Sequence, residues 1–590
     1  MIALDIEVYK NYFLAVFKNI DNNNVKIIEV KGENSLPSPT DLKTVYLLLN
    51  QRETFGFNSL NYDIPILLYF LTNKTCKELY KLSKWIIESD TMPWDVYNQF
   101  DLCDKFIKRH IDIRKPASNV GGLKMLVSRL HFSKIKELPY DPHSTLNTEQ
   151  MNNIKRYCIN DVDATIYLYN HIKQELTLRE NLEKEYKVDV ISKANPAVAE
   201  TLMLKLLPTK LYKQTNLHRK FKYKIPTFLQ FEHLQLFEII ENLKKHTFET
   251  DKDYKITLPN FLTKEEIKIG ETYYKMGIGG LHSTEKSQVV HATENTYIID
   301  KDVASYYPNI IIKQNLFPKQ AGFDFVLKYH MLVLKRLKAK KEGDKVTADS
   351  LKIVVNSIFG KFGNKWSRFY DPECLINVTL TGQLALLLAI EKLESAGIKV
   401  ISANTDGFVS VVPKHKYEEY EEICKSWERI TQLDLENNFY KSLYSIDVNN
   451  YIAIHKDGTH KAKGIFAKTT LMKNPAGYIS KLAVIERLKN GTDIKETISK
   501  CKDLSMFVIC RKVTGGAVWK GKEIGSIVRW VHSKNGEQIS YLENGNKVSL
   551  SEQALVVQNF PEIFPKCLDY DRYVQDAQEI LDKFDARKDD

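Results

Sequence analysis

Two runs of strand-forming residues meet at a short turn in "ISANTDGFVSVV", Ile401 to Val412. Such residues on both sides of so tight a reversal specify two antiparallel neighbours, with Asp406 at the bend. A second run, "NTYIIDKDVASYYP", reads as a buried strand that carries Asp302 and stops at Pro308, which has no N–H to give a ladder. Both carboxylates are therefore expected at strand ends, in a chain of α/β class.

At 590 residues and 68.4 kDa the chain is long for one core, and three to five structural units are expected. With 43% hydrophobic and 27% charged residues it reads as a soluble globular protein. Even "LINVTLTGQLALLLAI" is interrupted by polar residues, so no membrane partner is expected. The opening "MIALDIEVY" lacks the parts of a secretion signal, and a cytoplasmic location is expected. The 8 cysteines form no CxxC pair and fit reduced thiols better than a zinc site or a disulfide framework. A net charge of +11 permits a polyanionic partner without naming one.

Along the chain, the first 60 or so residues alternate as strands. From Thr148 to Glu185 the spacing predicts helix, with Thr148 as a candidate N-cap. A basic helical stretch runs through "LVLKRLKAKKEGDKVTADSLKIVVNSIFG". The last 120 or so residues mix helices with a strand-like "YISKLAV…GSIVRWV" region, and "QALVVQNF" reads as a core helix or strand.

Asp5 and Glu7 lie two apart on a strand, so their side chains leave one face. Crowded carboxylates repel unless a cation or proton intervenes, which suits a hard divalent ion. Asp63 sits among apolar residues, and Tyr157 and Asp161 share a helix face at i, i+4, which leaves Asp163 a bystander. In this order "DIE", "NSLNYD" and "YCIND" resemble the motifs of a proofreading 3′–5′ exonuclease of the four-acid, tyrosine-containing kind (DEDDy). The resemblance implies an RNase H-like domain in which Asp5, Glu7, Asp63 and Asp161 bind metal and Tyr157 orients the attacking water. Asn58 would touch the single strand. Lys124 in "GGLKML" is weighed as a phosphate contact, with a plain surface lysine preferred.

Downstream, "DVASYYPNI", "LKIVVNSIFGKFGN" and "NTDG" occur in the order of motifs A, B and C of family B DNA polymerases, which these segments resemble. That family also carries its exonuclease first. The resemblance implies a right-hand polymerase with palm, fingers and thumb. Asp302 and Asp406, with the Val303 carbonyl, would hold two Mg²⁺ ions per site, with Mn²⁺ as a substitute. Ser305, Tyr306, Tyr307, Lys352, Asn356 and Gly360 would bind the incoming dNTP, as would one residue of the basic stripe Lys335, Arg336, Lys338, Lys340 and Lys341, with Arg336 taken for the site. Tyr307 would act as the steric gate against a 2′-hydroxyl.

The domains are expected as an exonuclease over 1–185, palm over 186–312, fingers over 313–365, palm again over 366–470, and thumb with the C-terminal region over 471–590. DNA contacts are assigned to Asn58, Gly279 and Gly280 of "GIGGLH", Tyr451, Lys461 and Lys463.

Four departures stand out: Asn404 in place of motif C's first acid, Gly407 in place of serine, Phe359 in place of tyrosine, and "NNY" in place of "KxY". The short intervals around Lys352 leave little room beyond a fingers hairpin, which argues for ordinary primer use and for help from a helicase, single-strand-binding protein or clamp. The compact layout points to a bacteriophage replicative enzyme. The partners implied are primer–template DNA and dNTPs. The alternatives are a 3′–5′ exonuclease with an inert palm, a primer-independent polymerase, and a non-catalytic DNA-binding protein.

Overall fold

The computed structural model describes residues 1–89, 93–117, 120–561 and 563–585. The N-terminal unit is built on β1 (Ile2–Tyr9), β2 (Tyr12–Asn19), β3 (Val25–Lys31), β4 (Glu53–Gly56) and β5 (Arg109–Asp112). They form one sheet in the order β3-β2-β1-β4-β5. The first three make an antiparallel meander, and β4 and β5 add in parallel. The apolar run "YFLAVF" of β2 is buried throughout because helices cover both faces of the sheet. Burying each such Leu or Phe side chain stabilises the fold by roughly 1.5–3 kcal/mol.

The helical pattern from Thr148 to Glu185 divides into two helices, Thr148–His171 and Lys173–Tyr186. Its cap is Asn147 rather than Thr148. The Asn147 side chain accepts the Gln150 N–H at 2.9 Å, and Gln150 accepts the Asn147 N–H at 2.8 Å. This reciprocal box satisfies two amides that the helix leaves unpaired, and the Thr148 hydroxyl does neither job.

A short ribbon, β6 (Lys220–Phe221) with β7 (Phe248–Glu249), precedes the central sheet. That sheet holds β8 (Ile267–Ile269), β9 (Thr272–Gly277), β10 (Gly280–Ser283), β11 (Gln288–His291) and β12 (Thr296–Val303). It continues with β13 (Lys399–Asn404), β14 (Gly407–Pro413), β15 (Leu435–Asp447), β16 (Asn450–His455) and β17 (His460–Ala462). Its order is β17-β16-β15-β12-β14-β13-β10-β9-β8, with β11 on β15. The strand of Asp302 is thus central, flanked by β14 and β15, and Asp302 stands opposite Gly407.

Between β12 and β13 the chain leaves the sheet as a helical hairpin, Asp324–Glu342 and Lys345–Ser357. The basic stretch read as one helical segment breaks at Gly343 and restarts at Asp344, whose side chain caps Thr347 N–H at 3.1 Å. The hairpin rests on the end of the N-terminal unit, where Ser350 Oγ donates to the Leu178 carbonyl at 3.1 Å. Helix Pro372–Ser395 is long and apolar enough to cross a membrane by length and composition. Its most apolar window is 89% buried within the protein, and it serves as the core helix beneath the sheet.

The C-terminal region corrects one expectation. "YISKLAV" belongs to helix Tyr478–Asn490, not to a strand. Ile479, Ala483 and Val484 fall on one helical face against the local core, and the Lys, Glu, Arg and Leu residues between them favour helix. "GSIVRWV" does lie in a strand. β18 (Ile509–Trp519), β19 (Lys522–Glu537), β20 (Ser540–Tyr541) and β21 (Ala554–Val556), the last within "QALVVQNF", form a sheet in the order β20-β18-β19-β21. This sheet folds back on the N-terminal unit: buried Arg529 donates to the Phe132 carbonyl at 2.7 Å and to the Gln558 carbonyl at 2.6 Å.

Candidate active sites

In the N-terminal unit Asp5 and Glu7 alternate with buried Leu4, Ile6 and Val8 on β1, so both emerge on one face as their spacing requires. Asp63 opens helix Asp63–Leu71, is only 4% exposed, and accepts the Ile6 N–H at 3.1 Å. Tyr157 and Asp161 face them from helix Thr148–His171, one turn apart. The four acids act on one another. Burial and the charges of Asp63, Glu7 and Asp161 hold Asp5 well above the usual carboxylate range. Burial, then Asp161, raises Glu7 to about 8, and burial with Asp112 raises Asp63 to about 7. Asp161 is raised by burial as well. Burial and the neighbouring acids also push the Tyr157 phenol up, so it stays neutral.

Several participants lay beyond the motifs. Lys124 was preferred as a bystander, yet its ammonium stands 4.8 Å from the Tyr157 ring centroid and 3.4 Å from Glu137. It is the cation that lowers Glu7 and Asp161 against their burial. Cys158 directs its thiol at Asp5 Oδ2, 3.4 Å away. Asp112 at the end of β5 accepts the Asn58 N–H at 2.9 Å and the Leu60 N–H at 3.3 Å, which fixes the turn leading to Asp63. Asn58 Oδ1 accepts from Arg114 at 2.6 Å, so that amide and guanidinium present together at the rim. Asp163 is off the site as expected, paired with Lys18 at 2.6 Å.

The central sheet brings Asp302 and Asp406 together through the ladder. Asp302 pairs with Gly407, and the Val303 N–H donates to the Asp406 carbonyl at 2.7 Å. Gly407 has a physical reason: a β-carbon there would lie 2.6 Å from Asp302 Oδ1 and from the Lys301 carbonyl, so bare backbone is needed. Gly280 meets the same turn from β10, where a β-carbon would come within 3.1–3.3 Å of Thr405. Burial, Asp300 and Asp406 raise Asp302 to about 6 against the pull of Lys461, and burial raises Asp406. Asn404 lines the same opening, its amide donating to the Val448 carbonyl at 3.1 Å.

Lys461, expected at duplex phosphates, stands in the structure beside two strand acids. Its ammonium lies 3.1 Å from Asp300 and 3.6 Å from Asp302. Tyr440 donates to the same Asp300 oxygen. Burial opposes the Lys461 charge, but Asp300, Tyr451 and Asp302 outweigh it and hold its pKa above that of an ordinary lysine. Asp300 precedes Asp302 by two on β12 and so shares its face, a signal present in "DKD" but not read.

Three openings run together here. One of about 800 Å³ holds Asp300, Asp302, Asp406, Tyr451, Lys461 and Lys463. It shares Thr405 and Asp406 with one of about 310 Å³ lined by Val303, Ser305, Tyr306, Tyr307, Arg336 and Asn356. Arg336 then continues into a third of about 270 Å³, with Lys340 and Lys352. Arg336 donates to Ser305 Oγ at 3.1 Å, and the Tyr307 hydroxyl donates to the Gly279 carbonyl at 3.2 Å. Tyr306 is buried on the Gly382 carbonyl, a packing role behind Tyr307. Gly360 lies outside these openings, in a separate groove.

Among the described residues no group of three or more His, Cys, Asp or Glu side chains stands ready-made to hold a metal ion. Both sites nonetheless suit a hard divalent cation by their chemistry. Their donors are carboxylate oxygens, and in the first the buried acids exceed the one nearby lysine in charge.

No family model matches the chain. Among curated proteins it is 26% identical over 357 residues to "DNA polymerase 1" of Pyrococcus abyssi, covering 50% of this chain and 46% of that protein. It is 24% identical over 363 residues to "DNA polymerase" of Thermococcus gorgonarius, with the same coverage. The chain thus spans about half the length of the curated relatives it matches. A structure of the family B DNA polymerase from Pyrobaculum calidifontis aligns with 99% of this chain and 77% of that one, at 14% identity and a TM-score of 0.40. Over about half its length this chain is similar in sequence to archaeal DNA polymerases, and its ordered motifs resemble those of family B.

Proposed function

We propose that the chain is a DNA-directed DNA polymerase that extends a primer with dNTPs, and that its N-terminal unit is a 3′–5′ exonuclease. The carrying observation is the continuous opening from Asp302 and Asp406, past Tyr307, to Arg336 and Lys352. A primer end at the acids, a sugar on the tyrosine and a triphosphate among the cations fill it in that order.

Asp302, Asp406 and the Val303 carbonyl would hold Mg²⁺, which when bound activates the 3′-hydroxyl and neutralises the triphosphate. Arg336, Lys340 and Lys352 draw the phosphates into line. Tyr307, braced by Phe359 at 4.6 Å between ring centroids and by its bond to Gly279, leaves no room for a 2′-hydroxyl. Phe359 serves this brace without the hydroxyl that a tyrosine would add. Lys463, beside Asp406, is placed to meet a primer phosphate. In the N-terminal site the neutral Tyr157 phenol orients the attacking water, while Asn58 and Arg114 hold the strand.

The substrates on this reading are primer–template DNA and dNTPs. A helicase, single-strand-binding protein or clamp, a bacteriophage source and work in the host cytoplasm belong to the same proposal, although the relatives named are archaeal. The test is a labelled primer–template with Mg²⁺. Asp406→Ala is expected to abolish extension and keep single-strand degradation, and Asp5→Ala with Glu7→Ala to do the reverse. Extension by Asp406→Ala would sink the polymerase assignment. A wild type that only degrades primers would favour a nuclease with an inert palm.

A further inference from the structure

One large aromatic side chain stands where core packing does not require it. Trp366 is 70% exposed. Its main chain is held, since the backbone N–H of Trp366 donates to Asn364 Oδ1 at 2.9 Å. The Lys365 ammonium lies 5.5 Å from the Trp366 ring centroid and 5.4 Å from that of Tyr254, so one cation joins two rings. Tyr254 is fixed in turn: its carbonyl accepts the Tyr370 hydroxyl at 2.7 Å, and its ring packs on His218 at 4.8 Å.

These groups line an open groove of about 420 Å³ with Lys255, Asp253 and the bare backbone of Gly360 and Gly363. A β-carbon at Gly360 would meet nothing within 4 Å, so that stretch of backbone is accessible. The groove lies next to the reaction opening. Phe359 packs on Tyr307, and Asn356 lines the opening with Asp406, while Gly360 faces the groove. A single segment, Asn356 to Gly363, separates the two.

We propose that this groove binds the single-stranded template ahead of the primer end. A base would stack on Trp366, and backbone phosphates would lie by Lys365 and Lys255. Aromatic faces with interleaved cations suit single strands because every base has a stacking face, and bare glycine backbone lets the strand come close. Asp253 repels phosphate at its end of the groove, which places the phosphates toward the lysines. The inference rests on the polymerase reading above and adds the path of the template.

The experiment is fluorescence anisotropy of the full chain in chelator, so that no end is degraded. The probes are a blunt duplex and the same duplex with a 5′ template overhang of about ten nucleotides, near one stacking site size. The overhang is expected to tighten wild-type binding about ten-fold. Trp366→Ala should lose that gain, Trp366→Phe should keep most of it, and blunt-duplex binding should be the same in all three. An equal overhang gain in wild type and Trp366→Ala overturns the site, as does an equal loss on both DNAs. Primer extension, run in parallel, keeps the two readings apart. A wild type that extends primers while Trp366→Ala keeps the overhang gain sinks the groove alone. A wild type that shows the Trp366-dependent gain and never extends sinks the polymerase reading alone.

Discussion

The ammonium of Lys461 lies 3.6 Å from Oδ2 of Asp302, the acid at the end of the central strand. Its closer partner is Asp300, which is 5% exposed and shares one oxygen between Lys461 and Tyr440. Removing the lysine leaves a buried carboxylate without its cation. Lys461→Met is therefore expected to lower stability by about 2–4 kcal/mol and to cut extension. Asp300→Asn with Lys461→Met should recover most of the stability, because neither charge is then buried alone. Chemical denaturation of Lys461→Met, Asp300→Asn and the double variant decides it. A double variant as unstable as the sum of the single ones would remove the pairing as the cause.

Asn404 replaces an acid expected in motif C, and its amide is engaged with the Val448 carbonyl. An ionised aspartate there has no N–H to donate to that carbonyl, and leaving it unpaired costs about 1–3 kcal/mol. It would also add a third charge near Asp302 and Asp406. Asn404→Asp is thus expected to lower metal-free stability and to change the extension rate less than ten-fold. A single-turnover rate more than ten-fold above wild type would mean that the missing charge limits the site.

What could be read in advance was local. The Asp406 turn, the Asp5/Glu7 face and the Tyr157/Asp161 face each follow from spacing within one element, and all hold. What escaped depends on elements far apart in the chain. Lys461 reaches Asp300 across a separation of 161 residues, and Lys124 meets Tyr157 from another helix. Periodicity carries no information about such meetings. The error at "YISKLAV" is of another kind: a short apolar cluster suits strand and helix alike, and only packing against the C-terminal core decides. The Asn147 cap was missed by one residue because Asn and Thr both cap, and the Gln150 partner selects Asn147.

The acids of the N-terminal site make metal-free stability depend on pH in a direction opposite to that of most carboxylates. Glu7 and Asp63 are raised to about 8 and about 7, so the folded chain holds protons that the unfolded chain has released. Stability falls wherever the native state binds more protons, here as pH rises from about 4 to about 8. In chelator, the melting temperature is expected to drop between pH 5.5 and 8.5, and Asp63→Asn should flatten that slope. Mg²⁺ should raise the melting temperature most at the alkaline end, where the acids are charged. A melting temperature that rises with pH in chelator would contradict the burial of these charges.

Arg529 joins the two ends of the chain, since its buried guanidinium donates to the Phe132 carbonyl of the N-terminal unit and to the Gln558 carbonyl of its own region. Glu137 adds to the contact by accepting the Ser526 N–H at 3.1 Å, and the same Glu137 pairs with Lys124 beside the acids of the N-terminal site. Arg529→Met keeps much of the apolar volume and leaves the Phe132 carbonyl unpaired, while the Gln558 carbonyl keeps the Ile135 N–H at 3.1 Å. It is expected to destabilise the fold by about 2–4 kcal/mol, roughly 1–3 for the carbonyl left unpaired and about 1 for the bond lost at the other. The loss should fall on this joint, so that protease cleaves first between the N-terminal unit and β19, and degradation activity should fall before extension as temperature rises. Equal thermal loss of both activities would show that Arg529 stabilises the chain as a whole and does not hold the N-terminal site in particular.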